Sequence, residues 1–148
     1  MVNIEANLGY SFVNRNLLKR ALTRRAYALE QKQQKRAYED QEIYRVLGDA
    51  VLKVVLVDLL IQSGSKTWEE ITTKKQKLER EEALAEIAGQ LAIGQFIKLG
   101  IGEKKQQANE EPKVLAETLE AIIGAIYFDG GYDKAKDVIS KWFRSYLT

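Results

Sequence analysis

Four carboxylates sit in two segments whose spacing could support chemistry. Glu42 and Asp49 belong to Glu42-Ile43-Tyr44-Arg45-Val46-Leu47-Gly48-Asp49-Ala50-Val51-Leu52, and Glu117 and Glu120 to Leu115-Ala116-Glu117-Thr118-Leu119-Glu120-Ala121-Ile122-Ile123-Gly124-Ala125-Ile126-Tyr127. At roughly 100° per residue, the first pair falls about 20° apart around a helix and the second about 60° apart. In both segments the acids stand beside apolar residues that belong in a core. An acid facing a core is costly unless something compensates it. A divalent cation is one such compensation, since two facing helices with acids at this spacing form an oxygen-ligand cage. A metal held there can activate water and stabilise the charge of a phosphoryl transition state. The bland alternative is solvated or lysine-paired acids, the norm for surface carboxylates. Gly48, Ala50, Gly124 and Ala125 favour convergence, because small residues let two helices pack closely.

The composition narrows the chemistry further. The 148 residues, 45% hydrophobic and 30% charged, suit one globular domain over residues 1–148. The chain has no cysteine and no histidine. That removes disulfides, thiolate metal sites, the cysteine nucleophile and the commonest general base. Catalysis must then use carboxylates, hydroxyls, lysine or a hard cation such as Mg2+ or Mn2+. A net charge of +2 gives only a weak overall field, so local clusters matter more. The basic clusters are Arg24, Arg25, Lys32, Lys35 and Arg36, then Lys74, Lys75 and Lys77, then Lys104 and Lys105. The start, Met1-Val2-Asn3-Ile4-Glu5, lacks the basic head and apolar run of a signal peptide. No apolar stretch reaches membrane-spanning length. The expectation is a cytoplasmic protein with no membrane partner.

The elements that must position these acids read as helices. A single proline, Pro112, favours long helices over many turns. Asn14 or Asn16 caps a first helix through Leu17, Leu18, Ala21 and Leu22. Gln31 to Arg36 is a loop or a solvated helix extension. A long helix runs from about Asp40 to Gln62 and ends at Ser63-Gly64-Ser65. Thr67 caps the next helix, and a further one spans Glu79 to Leu91. Gly94 and Gly100-Ile101-Gly102 mark breaks, and Glu103 to Glu111 reads as a charged loop. The second acidic helix follows Pro112 and stops at Asp129-Gly130-Gly131; a last helix, capped by Asp133, carries Ala135, Val138, Ile139, Trp142 and Phe143. The prediction is all-α, six to eight helices, without a clear strand.

Leu47-Gly48-Asp49-Ala50-Val51-Leu52 and the run from Glu120 to Gly131 resemble the two acidic motifs of the ribonuclease III nuclease domain. Leu8-Gly9-Tyr10-Ser11-Phe12, the run from Leu17 to Thr23, the run from Glu81 to Ala88, and Leu99-Gly100-Ile101-Gly102-Glu103 extend the likeness over almost the whole chain. The resemblance implies an all-α helical domain that forms a homodimer with a valley for double-stranded RNA. In such a dimer each subunit cuts one strand with a magnesium-dependent site, and Mn2+ can substitute. It also implies Asp49, Glu117 and Glu120 as metal ligands, with Glu42 assisting catalysis from the rim. RNA contacts would come from Arg24, Arg25, Lys74, Lys75, Lys104 and Lys105.

The likeness carries departures. The family's first motif reads Asn-Glu-Arg-Leu-Glu-Phe-Leu-Gly-Asp, where this chain has Gln41 to Asp49, and the middle acid, a metal ligand in the family, is Arg45. The family's Phe at the dimer interface is Val46, its Asp in the second motif is Glu117, and its His-Arg-Ser is Arg24-Arg25-Ala26. A guanidinium cannot lose its proton to become a ligand. It would pair with the neighbouring acids and compete with magnesium for them. Ending at Thr148, the chain resembles the nuclease-domain-only members, Mini-ribonuclease III, in architecture. The leading expectation is a Mg2+-dependent endoribonuclease acting on double-stranded or folded RNA in RNA processing. The alternative is a catalytically impaired domain that binds RNA or serves assembly.

Overall fold

The computed structural model describes residues 3–147; Met1, Val2 and Thr148, on which the readings of the chain's two ends partly rest, lie outside the described residues. Its longest uninterrupted helix is α4 (Glu42–Gln62), where the sequence pattern placed it. Tyr44, Val51, Leu52, Val55, Leu56, Leu59 and Leu60 recur at helical spacing and are buried. Full burial of a Val or Leu side chain contributes about 1.5–3 kcal/mol, so this face outweighs the low helix propensity of the run of valines. Ser63 closes the helix, and Gly64, at φ +105°, turns the chain away.

Eight α-helices and three short 3-10 turns make up the described residues, so the fold is all-α, as predicted. Ahead of α4 come α1 (Ile4–Leu8), α2 (Arg15–Ala21) and α3 (Arg25–Gln33); after it come α5 (Trp68–Leu78), α6 (Glu81–Gln90), α7 (Ile101–Lys105) and α8 (Pro112–Trp142). Helix α8 packs along α4 and carries α6 and α2 against its other sides, while α5 leans on α4. Caps follow sequence chemistry. Asn14 Oδ1 accepts from the Asn16 amide at 3.0 Å, and Thr67 Oγ1 from the Glu70 amide at 3.2 Å. Pro112 opens α8, where a missing N–H costs nothing.

Three sequence expectations need correction. A short helix, α1, precedes the one expected first, capped by Asn3, whose Oδ1 accepts from the Glu5 amide at 2.9 Å. Gly100 is not only a break: it is the N-cap of α7, where a charged loop was expected, and its amide donates to Glu103 Oε1 at 3.2 Å. Ala50 is exposed, and of the four small residues only Gly48, Gly124 and Ala125 are buried. Helix α3 extends to Gln33, so the basic segment begins as helix and then becomes loop. The stop at Asp129-Gly130-Gly131 is a break within α8: Gly131 takes φ 83° and ψ −175°, and helix resumes beyond it. Among the described residues there is no strand, only one isolated parallel bridge between Thr23 and Lys98. No helix among them is long and apolar enough to cross a membrane.

Candidate catalytic site

Two glycines bring the acids together. A β-carbon at Gly48 would fall 1.6 Å from the Glu120 carbonyl oxygen, and one at Gly124 would fall 2.2 Å from the Tyr44 carbonyl oxygen. Helices α4 and α8 therefore touch backbone to backbone, and the side chains beside the crossing are forced into one another's company. Asp49 and Glu120 stand close enough there to perturb each other's ionisation. They open, with Arg45 and Val46, on a cavity of about 260 Å³.

The pair splits its protonation. Burial, then the hydrogen bond and charge of Asp49, push the Glu120 carboxyl up to about 8. Burial opposes ionisation of Asp49, but the ammonium of Lys53 and the bond with Glu120 outweigh it and hold Asp49 below the usual carboxylate range. Lys53 Nζ stands 2.8 and 2.9 Å from the two Asp49 oxygens. Beyond it, Lys75 reaches Glu79 at 3.1 Å, and its charge also favours ionised Asp49.

Glu117 faces a different arrangement. Its Oε1 accepts from Arg24 Nη1 at 2.9 Å, and its Oε2 accepts from Arg45 Nη1. Arg45 Nη2 lies 3.0 Å from Glu42 Oε2, and Arg24 Nη2 lies 3.0 Å from Glu103 Oε2. The result is a row of alternating charge: Glu103, Arg24, Glu117, Arg45, Glu42. Burial works against the charge on Arg24, yet its bonds to Glu117 and Glu103 raise its pKa. The backbone holds Arg24 in place, since its amide donates to the Lys98 carbonyl at 3.1 Å.

The structure thus brings Glu42, Asp49, Glu117 and Glu120 to one face, but divides the three expected ligands: Asp49 with Glu120, and Glu117 with two guanidiniums. Among the described residues, no group of three or more acids is arranged to hold a metal ion. The residues present therefore do not fit a carboxylate-caged divalent ion. Of the expected RNA contacts, Arg24 is turned inward to Glu103 and Glu117. Arg25 of α3 and Lys104 and Lys105 of α7 are exposed on adjoining helices: Ile101 at the head of α7 donates to Glu30 of α3 at 2.9 Å. Lys74 pairs with Glu70 at 2.8 Å on α5.

Sequence reasoning missed two residues. Gln41, fully buried, donates to the Ala21 carbonyl at 2.7 Å and to Thr118 Oγ1 at 3.3 Å, and accepts from Arg24 at 3.2 Å. Its place at the head of the first acidic motif was the available signal. Asp129 accepts from Tyr10 Oη at 2.6 Å and from the amides of Val13 and Asn14, both at 2.9 Å. Nothing in its own neighbourhood points to a loop more than a hundred residues away along the chain.

The Ribonuclease-III-like family model matches residues 14–147, and the chain belongs to that family. It is 36% identical over 148 residues to Ribonuclease 3 of Pseudothermotoga lettingae, covering 99% of this chain and 62% of that one. It is 36% identical over 145 residues to Ribonuclease 3 of Azorhizobium caulinodans, covering 97% and 60%. The chain thus spans about three fifths of the length of these curated relatives. Among solved structures it superimposes on the nuclease domain of ribonuclease III from Campylobacter jejuni with a TM-score of 0.86 and 30% identity, covering 97% of this chain and 96% of that one.

Proposed function

We propose that this domain pairs with a second copy of itself and that the pair holds double-stranded or folded RNA without cutting it by the metal chemistry expected of the family. The observation that carries this reading is Arg45, seated between Glu42 and Glu117 at a position where the family motif has an acid. Pairing is supported by the outer side of α4. Ile43, Val46, Ala50, Val54, Val57 and Ile61 fall within about 80° of one another around the helix, over roughly 27 Å. Ile43, Val46, Val54 and Ile61 are each more than half exposed, whereas Val51 and Val55 are buried in the core. Contiguous exposed apolar surface of this kind marks an interaction site. The Campylobacter jejuni nuclease domain is itself described as having a region involved in dimer formation. Val46 lines the acid cavity as well as the stripe, so a second copy would complete the walls of that cavity.

RNA contact is supported by the exposed corner of α3 and α7, with Arg25, Lys32, Lys104 and Lys105. Lysine and arginine facing phosphates give binding that weakens steeply with salt, and a duplex would be read by its A-form shape. Cleavage assisted by Mg2+ or Mn2+ is the second reading. The observation in its favour is that Asp49 and Glu120 remain paired at an open cavity.

The test is to incubate the protein with a long RNA duplex in Mg2+, Mn2+ or chelator, and to follow retention and cutting together. We expect salt-sensitive retention in all three and no cutting. Metal-dependent cutting would establish the second reading, and no retention even at low salt would remove both. Val46→Asp should convert a dimer to a monomer in light scattering; a natural protein that is already monomeric would end the pairing argument.

A further inference from the structure

We infer that the guanidinium of Arg45 is the resident cation of the acid cluster, so that the domain neither binds divalent metal selectively nor needs it to fold. The inference concerns the protein alone; its corollary, that RNA is held equally well in chelator, rests on the function proposed above.

Acids gathered at a helix crossing repel one another until positive charge is placed among them. In this chain that charge is built in. Arg45 spans two carboxylates with two different nitrogens, Nη2 to Glu42 at 3.0 Å and Nη1 to Glu117. Both contacts are charge-assisted, one to each of two carboxylates. Arg24 donates to the other Glu117 oxygen at 2.9 Å, so both oxygens of that acid already face a guanidinium whose charge opposes a metal there. At the other end of the cluster, both oxygens of Asp49 face Lys53. A divalent ion entering here would have to displace Arg45 from two partners. It would still meet a fixed positive charge that cannot be neutralised by losing a proton.

Lys53 is the weaker guard. It is about half exposed and flexible, and an exposed pair of this kind contributes little. Arg45 is less exposed and doubly bonded. Arg24 also guards Glu117, and Arg45 is the cation that touches both Glu42 and Glu117, so its replacement is the direct test of the cluster's metal preference.

The experiment is a Mn2+ titration of the purified protein without RNA, by calorimetry and by the loss of free Mn2+ signal in electron paramagnetic resonance, with melting curves in Mg2+ and in chelator. The natural protein, Arg45→Glu and Arg45→Gln are compared. We expect no saturable binding by the natural protein and the same melting temperature with and without metal. Arg45→Glu should bind Mn2+ at least about a hundredfold more tightly, about tenfold for each of the two unit charges by which the site changes, and should melt later in metal than in chelator. Should Arg45→Glu fold only when metal is added, that also supports the inference. Should it not fold at all, Arg45→Gln decides, with an expected gain of about tenfold. Saturable, tight Mn2+ binding by the natural protein, or no gain in either variant that folds, overturns the inference. Loss of RNA retention in chelator, with the metal results as expected, would instead count against the proposed function.

Discussion

Helix α8 (Pro112–Trp142) holds carboxylates in two opposite ways. Near Gly131, Asp129 is satisfied by neutral donors: the Tyr10 hydroxyl and the amides of Val13 and Asn14. Burial opposes its charge, but these bonds outweigh burial and hold its pKa below the usual range. Closer to the start of α8, Glu120 meets another carboxyl, and its pKa is pushed up to about 8. Glu117 is satisfied by the guanidiniums of Arg24 and Arg45. Neutral donors in fixed geometry make a clasp, which pins the segment before α2 to α8. Acids set against acids make a site that stores repulsion and must be neutralised by something. The first arrangement stabilises the fold; the second is kept in spite of the fold.

The sharpest way to break the comparison is to remove what forces the acids together. Gly48→Ala places a methyl on the Glu120 carbonyl, where only backbone can yield. Overpacking against backbone is at the severe end of such changes, so we expect a loss of roughly 3 kcal/mol or more in urea unfolding. A stable Gly48→Ala protein would mean that the helices are not locked in contact, and that Asp49 and Glu120 meet for another reason. Asp129→Ala comes next. It removes three hydrogen bonds to a charged acceptor, two of them from exposed amides that water can serve instead. We expect a loss of about 2 kcal/mol. A change within experimental error would leave the clasp without energetic content.

How far the sequence displays this contrast depends on the range of the interactions. Helix α4, the Thr67 cap, the Pro112 start and the break at Gly131 were legible because periodicity, caps and glycines act over a few residues. The close crossing of α4 and α8 beside the acids was also legible, since Gly48 and Gly124 announce it; the division of the acids into Asp49 with Glu120 and Glu117 with two guanidiniums was not. The inward turn of Arg24 was not. It depends on Glu103 and Glu117, which are distant in sequence, and a lone arginine beside Arg25 reads equally well as a phosphate contact. The short helices α1 and α7 escaped because five residues give no periodicity to read. Division of the apolar side of α4 into core and exposed stripe needed the neighbours of Val51 and Val55. Arg45 was visible from the start as a departure from the motif, and the structure adds which two acids it bridges.

The smallest expected effect tests the unsettled half of the comparison. Glu120→Gln keeps a side chain of the same size that can still bond Asp49, so at pH 5 it should differ from the natural protein by less than about 1 kcal/mol. The pH profile should differ in form. The folded-state pKa of Glu120, about 8, lies above the unfolded carboxylate value of roughly 4.3. Between those values the folded protein holds a proton that the unfolded chain has released. Stability therefore falls as pH rises through that window and levels off above it. Asp49, whose pKa is lowered, acts in the other direction and only in acid, where stability is lost as pH falls. Lys53 and Arg45, the cations facing Glu120, lessen the fall without reversing it. Urea midpoints from pH 5 to pH 8 should thus decline for the natural protein and stay nearly level for Glu120→Gln, while Asp129→Ala should decline in parallel with the natural protein. Parallel profiles for the natural protein and Glu120→Gln would mean that the two carboxyls do not share a proton, and that Glu120 is held by the fold as quietly as Asp129.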